Sequence, residues 1–320
     1  MELHLLPPPR ARRLTWFVVG LVVIAIVATG LYLGFRLTER PTQRATTLAP
    51  APANSNRPVP TFSHVFTIVL ENKSASSVLG SPDAPYLNEL AGRYGVADAY
   101  QGVEHPSQPN YLALFSGSTQ GITDDQPHDV TAPTIADQLE ATGRSWRVYA
   151  EDVPGGCYRG ATATTGGVDG SGTYARKHEP AISFTSISGS PSRCANVRPL
   201  SDFDPTASAY ALLVPNLCND GHDCPLSTAD AWLKAYVPRI LDSPAWQDGG
   251  VLFITFDEAD GPERDANLVS TLVIAPDVTP GTRSSVPHSH YSLLRTIQAG
   301  FGLGCLAETC QANTMGEFFH

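Results

Sequence analysis

The sequences HVFTIVLEN, residues 64–72, and VLFITFDE, residues 251–258, share one pattern: an unbroken apolar run that closes on polar residues. Runs of this length, rich in β-branched and aromatic residues, are typical of strands buried on both faces of a parallel sheet. Polar side chains at the carboxyl ends of such strands lie where open α/β sheets bind their ligands. We therefore expect Glu71–Asn72 and Asp257–Glu258 to form an oxygen-rich site for a divalent cation. For either pair alone, the capping of a following helix is the alternative.

Strand-like and helix-like segments alternate between and around these two runs. Further strands are predicted over residues 96–103, 146–150, 210–214 and 268–274, and helices over 85–94, 108–115, 134–142, 227–241 and 291–301. This order predicts an α/β fold in which a mostly parallel central sheet is covered by helices on both faces. Residues 154–205 break the alternation and are rich in Gly, Ser and Thr, so we expect an insert over the carboxyl edge of the sheet.

An apolar stretch at residues 15–35 is about as long as a helix that spans a bilayer. We expect one uncleaved transmembrane helix before the folded domain, with residues 1–14 in the cytoplasm. A cleaved signal peptide is the alternative, although no clear A-x-A site follows the stretch. Residues 36–62, rich in Pro, Ala and Thr, are predicted to form a linker, and residues 63–320 the folded domain.

The charge balance and the cysteines indicate the kind of partner and the compartment. A formal net charge of −10 argues against a nucleic-acid binder. All 6 cysteines follow the apolar stretch, and none has the C-x-x-C spacing of a zinc site. We therefore expect disulfides in an extracytoplasmic domain held at the cell membrane; reduced cysteines in a cytosolic domain are the alternative. The local pairs Cys218–Cys224 and Cys305–Cys310 are favoured, which leaves Cys157–Cys194.

The run HPSQPNY, residues 105–111, holds the candidate nucleophile. Two prolines restrict the backbone around Ser107, and a helix is predicted to begin just after it. A serine at a helix N-terminus lies beside unpaired N–H groups and the positive end of the helix dipole, which suits a nucleophile that must carry a phosphoryl group. An ordinary N-cap serine is the alternative. The chain has no G-x-S-x-G elbow, so a serine-esterase triad is not supported.

Other residues able to bind a metal or transfer a proton follow later strands. The sequence VPNLCNDGHD, residues 214–223, places five of them in one loop: Asn216, Asn219, Asp220, His222 and Asp223. His288 and His290 come just before the last predicted helix, and His178 lies inside the insert. Because a lone histidine is more often a surface or packing residue than a ligand, the order of all these residues along the chain carries more weight than any one of them.

Seven stretches of the chain together resemble the bacterial phosphoesterase family that includes acid phosphatases and phospholipases C, on the alkaline-phosphatase-like fold. The stretches are HVFTIVLEN, HPSQPNYLALFSG, KHEP, VPNLCNDGHD, ADAWL, VLFITFDEADG and HSHYSLLRTIQAGFGL. They run in the order of the family from about residue 64 to residue 304 and cover nearly the whole predicted domain. One such motif is a weak signal, whereas the agreement of this many in order is a strong one.

The resemblance implies a role for each matching position. Four residues match the metal ligands of the family: Glu71, Asn72, Asp257 and Glu258. Ser107 matches the nucleophile, which also contacts the metal. Polar positions around the phosphate are matched by His105, His178, Asp220, His222 and His290. Whether Asp220, His222 and His290 hold a second metal stays open, and His288 ranks below His290 because it lies two residues from the matching position.

The expected reaction is metal-dependent phosphoester hydrolysis through a phosphoserine on Ser107, and a small phosphoester is the expected substrate. His290 or His222 would protonate the leaving oxygen, and His105 or Asn110 would hold a phosphoryl oxygen. Carboxylate and amide ligands suit Ca²⁺, Mg²⁺ or Mn²⁺, and Zn²⁺ becomes the better candidate if histidines join them.

Three readings of the activity are carried forward. An acid-phosphatase-like phosphomonoesterase is favoured, because some phospholipase C relatives carry Thr where Ser107 stands and because this domain is compact beside those enzymes. A phospholipase C acting near the membrane is the second, and a non-catalytic, metal-stabilised surface binding domain is the third. The sequence does not indicate an oligomeric state.

Overall fold

An eight-stranded mixed sheet lies at the centre of the computed structural model, which describes residues 57–164 and 173–319. From one edge to the other, the sheet contains β11 (Arg283–Ser284), β2 (Gly95–Ala97), β10 (Thr271–Ile274), β9 (Gly250–Phe256), β1 (His64–Leu70), β8 (Tyr210–Val214), β4 (Trp146–Ala150) and β7 (Val197–Pro199). Strand β10 runs antiparallel to both of its neighbours, and the other neighbouring strands are parallel. The structure therefore confirms an α/β fold with a mostly parallel central sheet.

Two small sheets lie outside the central one. Strand β3 (Tyr100–Gln101) pairs in parallel with β12 (His288–Ser289). Strand β5 (Thr162–Thr164) pairs antiparallel with β6 (Thr173–Ala175). The single strand predicted over 96–103 is therefore wrong, because a turn after Ala97 separates β2 from β3 and sends the two into different sheets.

The helices follow the strands in the predicted alternation. They are α1 (Ala75–Val78), α2 (Pro85–Arg93), α3 (Ser107–Ser116), α4 (Ile135–Ala141), α5 (Thr185–Ser188), α6 (Pro191–Cys194), α7 (Leu226–Leu241), α8 (Pro244–Gln247) and α9 (His290–Gly300). Short 3₁₀ turns occur at Arg176–His178, Ala181–Ser183, Leu200–Asp202, Gly261–Ala266, Ala307–Cys310 and Gly316–Phe318. Local sequence accounts for several ends: Thr134 forms a capping box with Asp137 at the start of α4, and Gly117 ends α3 with a left-handed φ of 75°.

The central strands are buried on both faces, as the unbroken apolar runs predict. Every residue of β8 and of β9 is buried, and so is every residue of β1 after His64. Strand β1 pairs with β9 on one side and with β8 on the other, with Leu70 opposite Phe256. The ends of β1 and β9 are thereby level with each other.

The region predicted to be an insert, residues 154–205, contributes both to the sheet and to its carboxyl edge. Its strand β7 pairs with β4 and forms one edge of the central sheet. The disulfide Cys157–Cys194 closes this region, while Cys218–Cys224 and Cys305–Cys310 close two short loops. These are the three pairs favoured from the sequence.

The predicted cytoplasmic segment, transmembrane helix and most of the linker fall in residues 1–56, outside the residues that the structure describes. Among the residues described, no helix has the length and apolar character needed to cross a membrane. Phe62, at the end of the predicted linker, is buried, and its N–H donates to the carbonyl of Gly300 at 2.9 Å. Its ring lies 5.4 Å from the ring of Phe319, so the last residues before β1 pack on the domain.

Candidate active site

The ends of β1 and β9 meet at the carboxyl edge of the sheet and form the base of the site. The N–H of Asp257 donates to the carbonyl of Leu70 at 2.9 Å, which continues the ladder one residue beyond the strands. The N–H of Asn72 donates in turn to Oδ1 of Asp257 at 3.0 Å. Glu71, Asn72 and Asp257 are thus brought together by backbone pairing, as the sequence predicts from the two apolar runs.

Asn72 adopts a backbone conformation that its residue type tolerates. Its φ is 54°, in the left-handed region where Asn is enriched among non-glycine residues. This turn lets its side-chain Nδ2 donate to Oε2 of Glu71 at 3.1 Å, while its backbone N–H contacts Asp257. Asn72 therefore connects the two carboxylates.

Ser107 contacts the same carboxylate. It is the first residue of α3, and its hydroxyl donates to Oε2 of Glu71 at 3.0 Å. The N-cap residue of α3 is Pro106, and no side chain caps the helix. The hydroxyl of Ser107 therefore contacts the acidic cluster, which consists of Glu71, Asn72 and Asp257. It does not cap its own helix, which removes the N-cap alternative.

Two carboxylates of this cluster are wholly buried, and their titration reflects it. Burial raises the pKa of Glu71 well above its usual range, and the like charge of Asp257 adds to the shift. Burial also raises the pKa of Asp257 to about 7, with Glu258 as the neighbouring like charge. Oδ2 of Asp257 has no hydrogen-bond partner among the described residues. A buried, unpaired carboxylate oxygen beside a second carboxylate fits a cation-binding site.

Two histidines lie near Glu71, and His178 contacts the carboxylate oxygen that Ser107 does not. Nε2 of His178 lies 3.2 Å from Oε1 of Glu71, and Nδ1 lies 3.1 Å from Oδ2 of Asp220. Glu71, His178 and His222 each offer a ligand atom within 4.8 Å of the others. A carboxylate behind a histidine is the usual arrangement for a metal ligand, since it orients the ring and leaves Nε2 free. This group adds nitrogen ligands to the predicted set.

Asp220 contacts both of these histidines. One of its oxygens contacts His178, and Oδ1 accepts the N–H of His222 at 2.8 Å. The side chain is buried, and burial raises its pKa to about 7. The substrate-binding role expected for Asp220 stays a prediction, and its observed contacts are with the two histidines.

His222 and His290 were the two candidate proton donors, and their surroundings differ. Nδ1 of His222 lies 2.6 Å from Oδ1 of Asp223, and the side chain is partly exposed. His290 is buried, with Nδ1 3.0 Å from the hydroxyl of Tyr100 and Nε2 2.6 Å from the carbonyl of Asp257. Burial lowers the pKa of His290 to about 4. Both ring nitrogens of His290 already have hydrogen-bond partners, which favours His222 over His290 as the proton donor.

Glu258, His105 and Asn110 form a separate group beside the cluster. Oε2 of Glu258 lies 2.7 Å from Nδ1 of His105, whose Nε2 lies 3.0 Å from the carbonyl of Arg264. The side chain of Asn110 bonds to the backbone on both sides of His105, including the N–H of Val103 at 2.9 Å. The side chains of His105 and Asn110 thus stabilise the turn that leads into α3. Glu258 forms its hydrogen bonds with these two residues and not with Ser107.

His288 lies away from the cluster. It is buried, and its Nε2 lies 2.6 Å from Oε1 of Glu317 in the C-terminal segment. The lower rank given to His288 agrees with this position.

Three residues that approach the cluster were missed as site residues from the sequence. The hydroxyl of Tyr111 donates to Oε1 of Glu71 at 2.5 Å, and its ring stacks on His178 with the centroids 5.1 Å apart. Its spacing of four residues from Ser107 was the available signal, since residues i and i+4 share a helix face. Lys177 and Asp125 form an ion pair of 2.9 Å. Lys177 precedes His178 in the quoted KHEP motif, whereas no local pattern marks Asp125.

A cavity of about 120 Å³ opens beside the histidines. Its lining includes Asp125, Arg176, Lys177 and His222, together with apolar side chains from the insert and from the loop after β8. The guanidinium of Arg176 is paired with Asp129 at 3.0 Å. Nζ of Lys177 lies 3.4 Å from Nε2 of His222. The cavity offers a small substrate group a place next to the partly exposed histidine.

Comparison with known sequences places the chain among phosphate-ester enzymes. The model of the Phosphoesterase family matches residues 69–304. A phosphatidylinositol-3-phosphatase of Mycobacterium tuberculosis is 33% identical over 247 residues, which cover 77% of this chain and 79% of that protein. A probable acid phosphatase of Kluyveromyces lactis is 30% identical over 254 residues, 76% of this chain but 59% of the longer yeast protein.

Solved structures share the fold at low sequence identity. The lipoteichoic acid synthase LtaP from Listeria monocytogenes superposes with a TM-score of 0.54 and 11% identity, over 83% of this chain and 78% of that one. The phosphonate monoester hydrolase of Agrobacterium radiobacter superposes with a TM-score of 0.51 and 13% identity, over 80% of this chain and 77% of that one. At these identities the likeness concerns the fold alone.

Proposed function

This chain belongs to the phosphoesterase family and is a phosphoric ester hydrolase, and from that premise we propose that it hydrolyses phosphomonoesters through a phosphoserine formed on Ser107, with a divalent cation bound beside it. The contact that carries the proposal is the 3.0 Å hydrogen bond from the Ser107 hydroxyl to Glu71. It places the serine hydroxyl, the candidate nucleophile, against a buried carboxylate that a bound cation would neutralise.

The chemistry of the donor set fits a divalent cation. Glu71, Asn72, Asp257 and the Ser107 hydroxyl supply oxygen donors, and Asp257 retains a buried oxygen without a partner among the described residues. An ion held by these groups would draw charge from the phosphoryl oxygens and lower the pKa of the serine hydroxyl. Oxygen donors favour Mg²⁺, Ca²⁺ or Mn²⁺, and participation of His178 or His222 would favour Zn²⁺.

The side chains of this chain divide the remaining work. Oγ of Ser107 forms a bond to phosphorus as the bond from phosphorus to the leaving oxygen breaks, and the serine proton passes to Glu71. His222, oriented by Asp223 at 2.6 Å, gives a proton to the leaving oxygen. Water then attacks the phosphoserine and His222 accepts a proton from it. As the new bond to phosphorus forms, the bond from phosphorus to Oγ of Ser107 breaks, Glu71 returns the proton to Oγ, and inorganic phosphate is released.

The substrate panel should include phosphorylated lipid headgroups. The Mycobacterium tuberculosis relative is named for a phosphomonoester on a lipid headgroup, and the apolar stretch at residues 15–35 would hold this chain at a membrane. Three disulfides among the described residues support an extracytoplasmic catalytic domain. We propose that the anchored domain acts outside the cytoplasm.

The test combines metal analysis of the purified protein with a panel of phosphoesters. We expect turnover of p-nitrophenyl phosphate that is lost on chelation and restored by one of the candidate ions, with phosphatidylcholine hydrolysed poorly. Ser107→Ala is expected to abolish turnover and to retain most of the bound metal. Full activity of Ser107→Ala would remove the nucleophile assignment. No hydrolysis of any ester with every ion supplied would favour a binding domain.

A further inference from the structure

We propose that Lys177 binds the phosphoryl group and makes the site selective for dianionic monoesters over monoanionic diesters, an inference that rests on the proposed function. Its side chain is about one-fifth exposed and lines the cavity, and Nζ lies 3.4 Å from Nε2 of His222. A group in this position is reachable by a substrate and close to the proposed proton donor.

The position of Lys177 is tied to the nucleophile through Asp125. Oδ2 of Asp125 accepts from Nζ of Lys177 at 2.9 Å, and Oδ1 accepts the N–H of Gln108 at 3.0 Å. Gln108 is the residue directly after Ser107 in α3. One carboxylate therefore joins the ammonium group to the first turn of the helix that carries the nucleophile, which keeps the charge at a set place relative to Ser107.

The charges around the site show why this ammonium group matters. The site contains the carboxylates of Glu71, Asp257 and Asp220, and a divalent ion would neutralise only part of their charge. A phosphomonoester substrate would then add two more negative charges. Phosphomonoesters lose their second proton with a pKa near 6, so they are largely dianions at neutral pH, whereas diesters carry a single charge. The second non-bridging charge is the feature that a fixed ammonium group can recognise.

The other lysines are not placed for this role. The chain contains three, at positions 73, 177 and 234. Nζ of Lys73 donates to the carbonyls of Asn72 and Gly221, at 3.0 and 2.8 Å. Lys234 is exposed on α7. Lys234 is therefore a matched control for the removal of one ammonium group.

The experiment compares kcat/KM for p-nitrophenyl phosphate and bis(p-nitrophenyl) phosphate in the full chain and in three variants. Lys177→Met should lower the value for the monoester roughly 10- to 100-fold, the loss of a charge-assisted hydrogen bond in the transition state. The diester value should fall by less than about 3-fold, since it lacks the second charge. Lys177→Arg should recover part of the monoester rate, and Lys234→Met should change neither value.

Inorganic phosphate provides a second readout that does not depend on the diester rate. Its inhibition constant should rise in Lys177→Met by a factor similar to the loss in monoester kcat/KM. An equal loss for both esters, or no loss for the monoester, would overturn the proposal while leaving the hydrolase assignment intact. If the unmodified chain hydrolyses neither ester, the proposed function fails, and calorimetric binding of inorganic phosphate to the chain and to Lys177→Met still decides the role of the lysine.

Discussion

The two halves of the site are built in different ways. The strand-end half consists of Glu71, Asn72 and Asp257, which backbone hydrogen bonds of the sheet hold together. The loop half consists of Lys177, His178 and His222, which come from the insert and from a loop closed by Cys218–Cys224. In the proposed mechanism the first half contacts the nucleophile Ser107 and would hold the cation, and the second would bind the phosphoryl group and protonate the leaving group. Removing a residue from each half should therefore damage different properties of the enzyme.

The largest effect is expected from the strand-end half. Asp257→Asn should lower turnover on the order of 1000-fold at limiting metal, because a neutral amide weakens the cation site that is worth several kcal/mol to the transition state. Metal content should fall in parallel, as measured by elemental analysis after dialysis. Glu258→Gln, whose carboxylate contacts His105, is the control and should retain more metal. Equal metal loss in both variants would mean that Asp257 and Glu258 bind the same metal ion.

A smaller and selective effect is expected from the loop half. His222→Gln should slow hydrolysis of glycerol phosphate about 100-fold, the usual contribution of a general acid. The effect on p-nitrophenyl phosphate should be under about 5-fold, since that leaving group departs without a proton. His290→Gln is the comparison variant and should affect both esters alike, because His290 contacts the hydroxyl of Tyr100 and the backbone carbonyl of Asp257. A leaving-group dependence in His290→Gln and none in His222→Gln would reverse the assignment.

The strand-end half also predicts how metal changes stability with pH. Burial raises the pKa of Asp257 in the metal-free fold from its ordinary value of 3.8 to about 7. A group with a raised folded pKa stabilises the fold at low pH, and this stabilisation is lost as the pH rises towards 7. Asp220 and Glu258, whose pKa values burial also raises to about 7, act in the same direction, whereas the lowered pKa values of His178 and His290 act in the opposite one. Because the three acids outweigh the two histidines, the metal-free protein should melt at a higher temperature at pH 5 than at pH 8, and added metal should raise the melting temperature more at pH 8. The same gain from metal at both values would contradict this.

The smallest effect tests the contact between the two halves. Tyr111 donates to Glu71 and stacks on His178. Tyr111→Phe keeps the stacking and removes the hydrogen bond, so metal affinity should fall about 10-fold, as for other residues that support a ligand. Turnover at saturating metal should change little. A large loss of turnover that excess metal does not restore would assign Tyr111 a direct role in the chemistry.

The contrast between the strand-end half and the loop half also explains which parts of the site could be predicted from the sequence. The predicted strands 146–150 and 210–214 have the same bounds in the structure, and the two apolar runs correctly predict that Glu71 and Asp257 lie close together. These features could be predicted because a buried strand has a recognisable local pattern of apolar residues. The hydrogen-bond partners of Asn110 and His290 could not be predicted from such local patterns. Asn110 bonds to the turn before its own helix, and His290 bonds to the carbonyl of Asp257, 33 residues earlier and just beyond the end of β9. Both contacts appear only once the chain is folded.

Asp125 shows most clearly what could not be predicted from the sequence. It follows no predicted strand and belongs to none of the quoted motifs, yet it joins Lys177 to the first turn of α3. Its sequence distance from Lys177 is 52 residues, and only tertiary packing brings the two together. Loop-built parts of a site therefore need the structure, whereas strand-built parts are accessible from the sequence.

The most direct test of the central claim is to trap the covalent intermediate. The protein would be mixed with a phosphomonoester and the required metal, quenched in acid within the first turnover, digested and analysed by mass spectrometry. We predict phosphate on the peptide that contains Ser107, and its absence in Asp257→Asn quenched at the same time. Rapid turnover with no phosphate on Ser107, or with phosphate on a histidine, would contradict the account.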